Sequence, residues 1–441
     1  MTSPVSLDAY LRSNPEIERV EAFVTDVNGL SRGKWLPRDK ALEIAAKGLA
    51  MPRSVYALDI WGRDVAEAGL AFGTGDPDGV CHPIAGSVAV IPWADRPTAQ
   101  VMLAMHDDRK MPFYADPRAM LGRVVERLNA RGLFPVIATE LEFYLLDGPD
   151  PGPMQGAACE VLSIDALRSV EPLLDAIESA CRVQGVPAET MSRENGPGQY
   201  EINLRHVADA CTAADHAILF KRIVRATAAR HGKLATFMVK PFGTQSGSGM
   251  HVHVSLLDRD GNPVFADETG APSAMLGYAV GGLVATMAEA MLLFAPHANS
   301  YRRFNRSAKA RMTAGWGHDD RSAAVRVITG SRFATRIEQR VAGADCNPYL
   351  AVAGILAGML AGIERALDPG PPHAPQAYGQ GGLPLPLEWS AAIDAFAASE
   401  AMADALGSKA RDMIVACKRQ DLDEFHRRVP DTERATYLTT L

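Results

Sequence analysis

The sequence predicts an α+β fold for this 441-residue chain, and three observations predict it. Four segments alternate apolar and polar residues with a period of two, the pattern of strands with one buried face. Two longer apolar tracts, at 275–296 and 350–362, read as buried helices. A third helix announces its own start: in Asp116-Pro117-Arg118, Asp116 suits the N-cap and Pro117 the first helical position, and the helix runs through Arg131.

In chain order, an amphipathic stretch at 6–12 precedes a strand at 19–26 and a turn at Asn28-Gly29. From there to about 108, short strands mix with glycine- and proline-rich loops, so residues 1–110 are expected to form a small N-terminal domain and 111–441 a larger one. In the larger part, the apolar run 135–138 leads into T-E-L-E-F-Y-L, with Glu140 and Glu142 on one face and Leu141, Phe143 and Leu145 on the other. The segment 193–204 places a Gly-Pro-Gly turn between Glu194 and Glu201, then Gln199, Glu201 and Asn203 along one polar face. The stretch 240–256, K-P-F-G-T-Q-S-G-S-G-M-H-V-H-V-S-L, sets glycines before a strand that lines up His251, His253 and Ser255 opposite Val252, Val254 and Leu256. In 336–341, Arg336, Glu338 and Arg340 oppose Ile337 and Val341. Loops at 147–155 and 368–386 carry proline and glycine without a pattern, and no internal repeat is present.

These strands offer five glutamates and a histidine at positions that convergence would turn into a ligand set. Carboxylates with few imidazoles suit magnesium or manganese, whereas structural zinc favours thiolates. Arg302, Arg303, Arg321, Arg326, Arg332, Arg336 and Arg340 follow within forty residues, and guanidinium forks match carboxylate and phosphate oxygens. Cations and arginines together are the equipment of phosphoryl transfer. Neither a G-x-x-x-x-G-K-[ST] loop nor an H-R-D motif is present, which disfavours those nucleotide folds.

Composition narrows the class. Net charge is −7 with Lys and Arg dispersed, leaving no nucleic-acid footprint. Six cysteines lack any C-x-x-C pairing, and the start M-T-S-P-V-S-L has no basic-then-apolar signal. A cytoplasmic protein with reduced thiols and no membrane span is expected; the tract 275–296 contains Glu289 and ends in proline, as a core helix does.

Further motifs carry a family resemblance: D-V-N-G-L-S-R-G-K at 26–34, E-L-E-F-Y at 140–144, E-N-G-P-G-Q-Y-E at 194–201, N-S-Y-R-R-F at 299–304 and R-I-E-Q-R-V-A-G-A-D-C-N-P-Y-L at 336–350. In that order they resemble the glutamine synthetase family, most closely its γ-glutamylputrescine (γ-glutamylpolyamine) synthetase branch, over nearly the whole chain. The resemblance implies a small β-grasp domain followed by a catalytic domain with a curved antiparallel sheet. It implies ATP, two or three Mg2+ or Mn2+ ions, L-glutamate and an amine as ligands, and a hexameric ring or double-ring dodecamer with sites shared between subunits. The implied chemistry is phosphorylation of glutamate's γ-carboxylate, followed by attack of an amine on the acyl phosphate.

Position by position, Glu142, Glu194 and Glu201 match the ligands of the cation nearer glutamate, and Glu140, His251 and Glu338 those of the cation bridging the ATP phosphates. Gly247, Arg303 and Arg340 match glutamate-binding positions; His253 and Ser255 match nucleotide contacts; Arg321, Arg326 and Arg336 match the phosphate clamp. Arg303 and Arg321 are thereby candidate catalytic residues, as is Asp59 in A-L-D-I-W, which matches an acid that accepts the amine's proton in a neighbouring subunit. Two positions depart from the ammonia-using members. Lys309 stands where those carry a flap glutamate that helps bind ammonium, and Ser246 where they carry an asparagine touching glutamate. Lys309 argues for an amine other than ammonia, unless its side chain is merely solvated. The alternatives are an ordinary glutamine synthetase and a non-catalytic relative.

Overall fold

The computed structural model describes residues 4–148, 160–304, 313–373 and 382–441. Near the N terminus lie β1 (Arg19–Thr25), β2 (Ser31–Pro37), β3 (Leu49–Pro52), β4 (Asp78–Pro83), β5 (Ala89–Val90) and β6 (Thr98–His106). They form one sheet in the order β2-β1-β6-β4-β3, with β5 also on β6. The hairpin turn between β1 and β2 is the expected one. Asp26 accepts the amides of Asn28 and Leu30 at 2.9 Å each, and Gly29 takes the positive φ that a side chain would resist. The helix Arg38–Lys47 follows the hairpin, and β6 returns parallel to β1.

The larger sheet comprises β7 (Phe134–Leu146), β8 (Ala188–Arg193), β9 (Gln199–Val207), β10 (Leu234–Thr236) and β11 (Met250–Leu257). After the two-residue β12 (Thr313–Ala314), it takes in β13 (Trp316–His318), β14 (Val325–Ile328) and β15 (Arg336–Gln339). Its order is β13-β14-β15-β11-β7-β9-β8, with β10 pairing β7. Among the described residues every neighbouring pair in it is antiparallel except β13 and β14. Register shifts after Ile137 and Ala188 bend the strands and curl the sheet. The remaining strand, β16 (Leu383–Pro384), pairs with β12.

The period-two patterns place their faces as expected. Leu141, Phe143, Val252, Val254, Leu256, Ile202 and Ile337 are all fully buried. The helix Ala210–Arg230 packs along β7, β9 and β10 and joins this apolar face to the helices beyond it. One hydrophobic cluster runs continuously from the N-terminal sheet through the larger one.

Helix starts follow their caps. The Asp116 side chain accepts the Arg118 amide at 2.9 Å and opens the helix Pro117–Ala130. Asn347 does the same for Pro348–Arg365, accepting from Tyr349 at 3.0 Å. That helix is long and apolar enough to cross a membrane, but 78% of its window is buried against other helices.

The tract 275–296 departs from expectation. It is not one helix: Ala274–Thr286 ends, a turn intervenes, and a short helix Met291–Phe294 follows. The Thr286 hydroxyl bonds back to the Gly282 carbonyl at 2.9 Å, which weakens a helix at that point, and Glu289 turns aside to accept Ser399 Oγ at 2.5 Å. The helices Ala274–Thr286 and Pro348–Arg365 cross at glycines. A Cβ on Gly362 would lie 2.1 Å from the Tyr278 carbonyl and 2.6 Å from Gly282 Cα.

Polar contacts seat the N-terminal sheet on the rest. Asn347 Nδ2 donates to the Asp26 carbonyl at 2.9 Å, and buried Lys418 donates to Asn28 Oδ1 at 2.5 Å and Asp421 Oδ2 at 3.1 Å. Such groups are retained where each has its partner, as these do.

Candidate active site

Strand pairing assembles the polar face residue by residue. Across β7 and β11, Glu140 faces His251; across β11 and β15, His253 faces Glu338; across β15 and β14, Glu338 faces Arg326; across β7 and β9, Glu142 faces Glu201. Cross-strand neighbours on one face lie within side-chain reach. Four stretches that are distant in sequence thus deliver one contiguous patch of charge.

At one end, Glu140 is held by three partners. Asn203 Nδ2 donates to its Oε1 at 3.0 Å, His253 Nε2 lies 2.9 Å from the same oxygen, and His251 Nδ1 lies 3.2 Å from Oε2. Arg336 Nε donates to His253 Nδ1 at 3.2 Å, so a neutral His253 carries its proton on Nε2 and donates it to Glu140. Glu338, buried in the floor, accepts Arg326 Nη1 at 3.0 Å and Arg340 Nη1, with His251 Nδ1 3.7 Å away.

At the other end, Glu142 Oε2 accepts the Gly249 amide at 2.9 Å and the Gln199 side-chain amide at 3.2 Å. Ligand atoms of Glu140, His251 and Glu338 lie within 4.8 Å of one another, and so do those of Glu142, Glu201 and His251. His251 belongs to both groups. Glu194 stands outside them, its oxygens taking Ser192 Oγ at 3.5 Å and Asn195 Nδ2 at 3.2 Å.

The electrostatics match a site built for cations. Burial first, then the charges of Glu140, Glu142 and Glu194, push the Glu201 carboxyl up to about 9. Burial and Glu194 push Glu142 up to about 7. Burial also raises Glu140, but the bonds from His251 and His253 outweigh it and hold this carboxyl well below the usual range. Burial and Arg340 lower the His251 imidazole to about 4, leaving it neutral and able to ligate. Carboxylates crowded this closely repel unless positive charge joins them, and oxygen donors with one imidazole are the donor set of a hard divalent cation. The residues therefore fit Mg2+ or Mn2+.

The glycine loop approaches this patch closely. A Cβ on Gly247 would lie 3.1 Å from Arg303 Cγ, and one on Gly249 would lie 2.9 Å from Arg303 Nη2. Arg303 is buried and donates to the carbonyls of Val341, Ala342 and Arg340 at 2.9, 3.1 and 3.3 Å. Gly247, Arg303 and Arg340 thus meet beside the carboxylates.

Other expected positions fall differently. Ser255 is half-buried on the same face of β11 as His253. Arg321 lies exposed in the turn between β13 and β14. Arg326 and Arg336 are turned inward: Arg326 spans Asp319 and Glu338, and Arg336 spans His253 and the Ala334 carbonyl. Lys309 lies outside the described residues.

Asp59 lies between β3 and β4. Its carboxylate is fully buried and accepts the amides of Trp61 and Arg63 at 3.0 and 2.8 Å, Arg63 Nε at 2.6 Å and Gln420 Nε2 at 3.0 Å. Both oxygens accept bonds within the subunit and tie this segment to the C-terminal helix Ser408–Arg427, which carries Gln420.

The sequence assigned no role to Asn203 or Gln199, although both lie on the polar face of β9. The Tyr144 hydroxyl, which donates to the Ser246 carbonyl at 2.6 Å, had no sequence signal.

A curled, mostly antiparallel sheet presents clustered carboxylates and arginines on one face, and the proteins that the chain resembles over most of its length are named as synthetases and ligases. Residues 114–437 match the glutamine synthetase catalytic domain family. The chain is 39% identical to gamma-glutamylputrescine synthetase PuuA of Escherichia coli, covering 96% of this chain and 92% of that protein. It is 33% identical to glutamate–isopropylamine ligase of a Pseudomonas species, covering 82% and 81%. The solved GmaS/ADP complex superposes with a TM-score of 0.87 at 28% identity, covering 98% of this chain and 99% of that one. The chain belongs to the glutamine synthetase family.

Proposed function

We propose that this chain is an ATP-dependent ligase that joins the γ-carboxylate of L-glutamate to a small amine other than ammonia, through a γ-glutamyl phosphate. The observation that carries the reading is the pair of carboxylate–imidazole groups sharing His251, set beside buried Arg303 and Arg340. The amine part draws on relatives named for putrescine and isopropylamine. ATP draws on the ADP-bound structural neighbour and on the arginines of β14 and β15.

In this reading Glu140, His251 and Glu338 would hold one divalent cation, and Glu142 and Glu201 another, with Glu194 completing the second set by a side-chain rotation. Cations bound there supply positive charge to the phosphates and the γ-carboxylate. The chain's own residues do the rest. Arg303 and Arg340, under the Gly247 loop, orient glutamate through bidentate bonds to its carboxylates. Arg321, Arg326 and Arg336 swing from their present partners to the phosphoryl oxygens, with His253 and Ser255 beside the nucleotide. The γ-carboxylate oxygen attacks the terminal phosphorus of ATP and ADP leaves. The amine nitrogen then attacks the acyl carbon, phosphate leaves with the C–O bond pair, and the nitrogen's proton passes to Asp59, the acid that the resemblance supplies from a neighbouring subunit.

Residues 1–110 and 111–441 act as the two domains, a boundary supported by the family match beginning at residue 114. The enzyme works in the cytoplasm as a ring-shaped homo-oligomer. Cys81, Cys181, Cys211, Cys346 and Cys417 are free thiols, as a reducing compartment leaves them. Phosphate release from ATP and glutamate, measured with ammonia, ethanolamine, isopropylamine and putrescine, tests the reading. Fastest turnover with ammonia overturns the amine assignment; silence with every amine overturns the ligase. Lys309→Glu is expected to shift preference toward ammonium, and an unchanged profile removes Lys309 from the argument.

A further inference from the structure

Gln199 is nearly fully buried at the first position of β9, yet nothing in the ligase reading uses it. Its side-chain nitrogen lies 3.2 Å from each of three acceptors: Glu142 Oε2, the Gly247 carbonyl and Ser248 Oγ. Its side-chain oxygen accepts the Gly196 amide at 2.9 Å, and its backbone carbonyl accepts the Glu194 amide at 2.9 Å and Arg193 Nη1 at 2.6 Å. One residue therefore touches a cation-ligand carboxylate, the loop that bears a glutamate-binding position, and the turn that carries Glu194.

The amide has two hydrogens for three acceptors, so they are shared, and a movement of any one acceptor redistributes the others' bonds. The loop has no slack to absorb that movement. Ser246 is held by the Tyr144 hydroxyl, and the Gly249 amide is held by the same Glu142 oxygen that Gln199 contacts. A side chain placed only to fill space needs none of these directed bonds; an aliphatic residue of equal volume satisfies that role.

We infer that Gln199 is a positioning residue that couples the orientation of Glu142 to the loop bearing Gly247, so that cation binding and glutamate binding at this site strengthen each other through it. The inference rests on the ligase reading for its ligands. Coupling of this kind is reciprocal, and typical values are about 5- to 150-fold.

The test is calorimetric titration of Mn2+ into nucleotide-free protein with and without L-glutamate, for wild type and Gln199→Met. Wild type is expected to bind Mn2+ at least about fivefold tighter when glutamate is present. In Gln199→Met that factor falls below about twofold, and Mn2+ affinity itself weakens by about 10- to 100-fold, as for other residues that orient a ligand. In turnover the glutamate KM rises with it while the ATP KM stays put. Gln199→Glu keeps the acceptor for Gly196 and loses the donor; it is read the same way should methionine prevent folding. Retention of the full coupling factor in a folded variant overturns the inference, even where the melting temperature drops. Because the titration needs no turnover, its failure is distinct from failure of the ligase reading, which shows as wild type inactive with every amine.

Discussion

Glu338→Ala is the sharpest perturbation of the proposed site. Glu338 is 1% exposed, accepts from Arg326 and Arg340, and lies 3.7 Å from His251 Nδ1. Burial raises its carboxyl, but the Arg340 guanidinium outweighs that and holds it below the usual carboxylate range. Removing it strands the Arg340 guanidinium in a site where water does not replace the lost charge, while Arg326 keeps Asp319. Breaking one side of a buried ion pair costs about 3–5 kcal/mol, a large part of the roughly 5–15 kcal/mol that holds a domain together. The variant should fold but melt well below wild type. For activity, residues that merely orient a metal ligand are worth about 10- to 100-fold, so loss of one of three donors should exceed ~100-fold. Glu338→Gln retains an oxygen toward one arginine and should recover part of the stability and little of the turnover. The assay pairs thermal unfolding with phosphate release across a Mn2+ titration. Turnover above about a tenth of wild type at unchanged Mn2+ half-saturation would refute the assignment of Glu338 as a cation ligand.

Two further predictions concern the frame. Burial pushes the Asp116 carboxyl up to about 6, against bonds from the Arg118 amide and the Tyr56 hydroxyl. Between its ordinary value and about 6 the folded chain holds a proton that the unfolded chain has released, so stability falls as pH rises through that window, by up to about 3 kcal/mol. Asp116→Asn preserves the cap and should flatten that part of the pH–stability curve; buried Asp345, also raised to about 6, contributes a separate share. Gly362→Ala drives a methyl into the Tyr278 carbonyl, so the helices must part at a cost of about 1–3 kcal/mol. A urea midpoint equal to wild type's contradicts the close crossing.

The strands that carry chemistry were legible because each pairs a fully apolar face with a charged one, which is the strongest period-two signal a sequence holds. The capped helix at Asp116-Pro117 was legible for a similar reason, since it states its start chemically; Asn347-Pro348 carries the same signal and was not read. The shorter strands β13 and β14 hold too few residues to show a period. The alanine-rich helix Ala210–Arg230 has no clean stripe because it is buried on most sides. The break after Thr286 depends on a hydroxyl choosing its own helix and on Ser399 drawing Glu289 away, partners more than a hundred residues apart. Within the site, residue types pointed to the carboxylates and His251 that cluster there, but side-chain direction was beyond them. The turn of Glu194 toward Asn195, the inward set of Arg326 and Arg336, and the satisfied burial of Asp59 are all outcomes of packing.

The pairing register of the larger sheet has a consequence for how the chain finds its fold. Because successive side chains point to opposite faces, a slip of one residue in β7 would turn Glu140 and Glu142 into the layer occupied by Leu141 and Phe143. The same slip in β9 or β15 would bury Glu201 or Glu338 against helices. Burying an uncompensated charge is so costly that such mispaired sheets do not compete with the native one. The carboxylates and histidines of the candidate site thus also proofread strand alignment during folding, and a variant that neutralises several of them should lose fidelity of assembly.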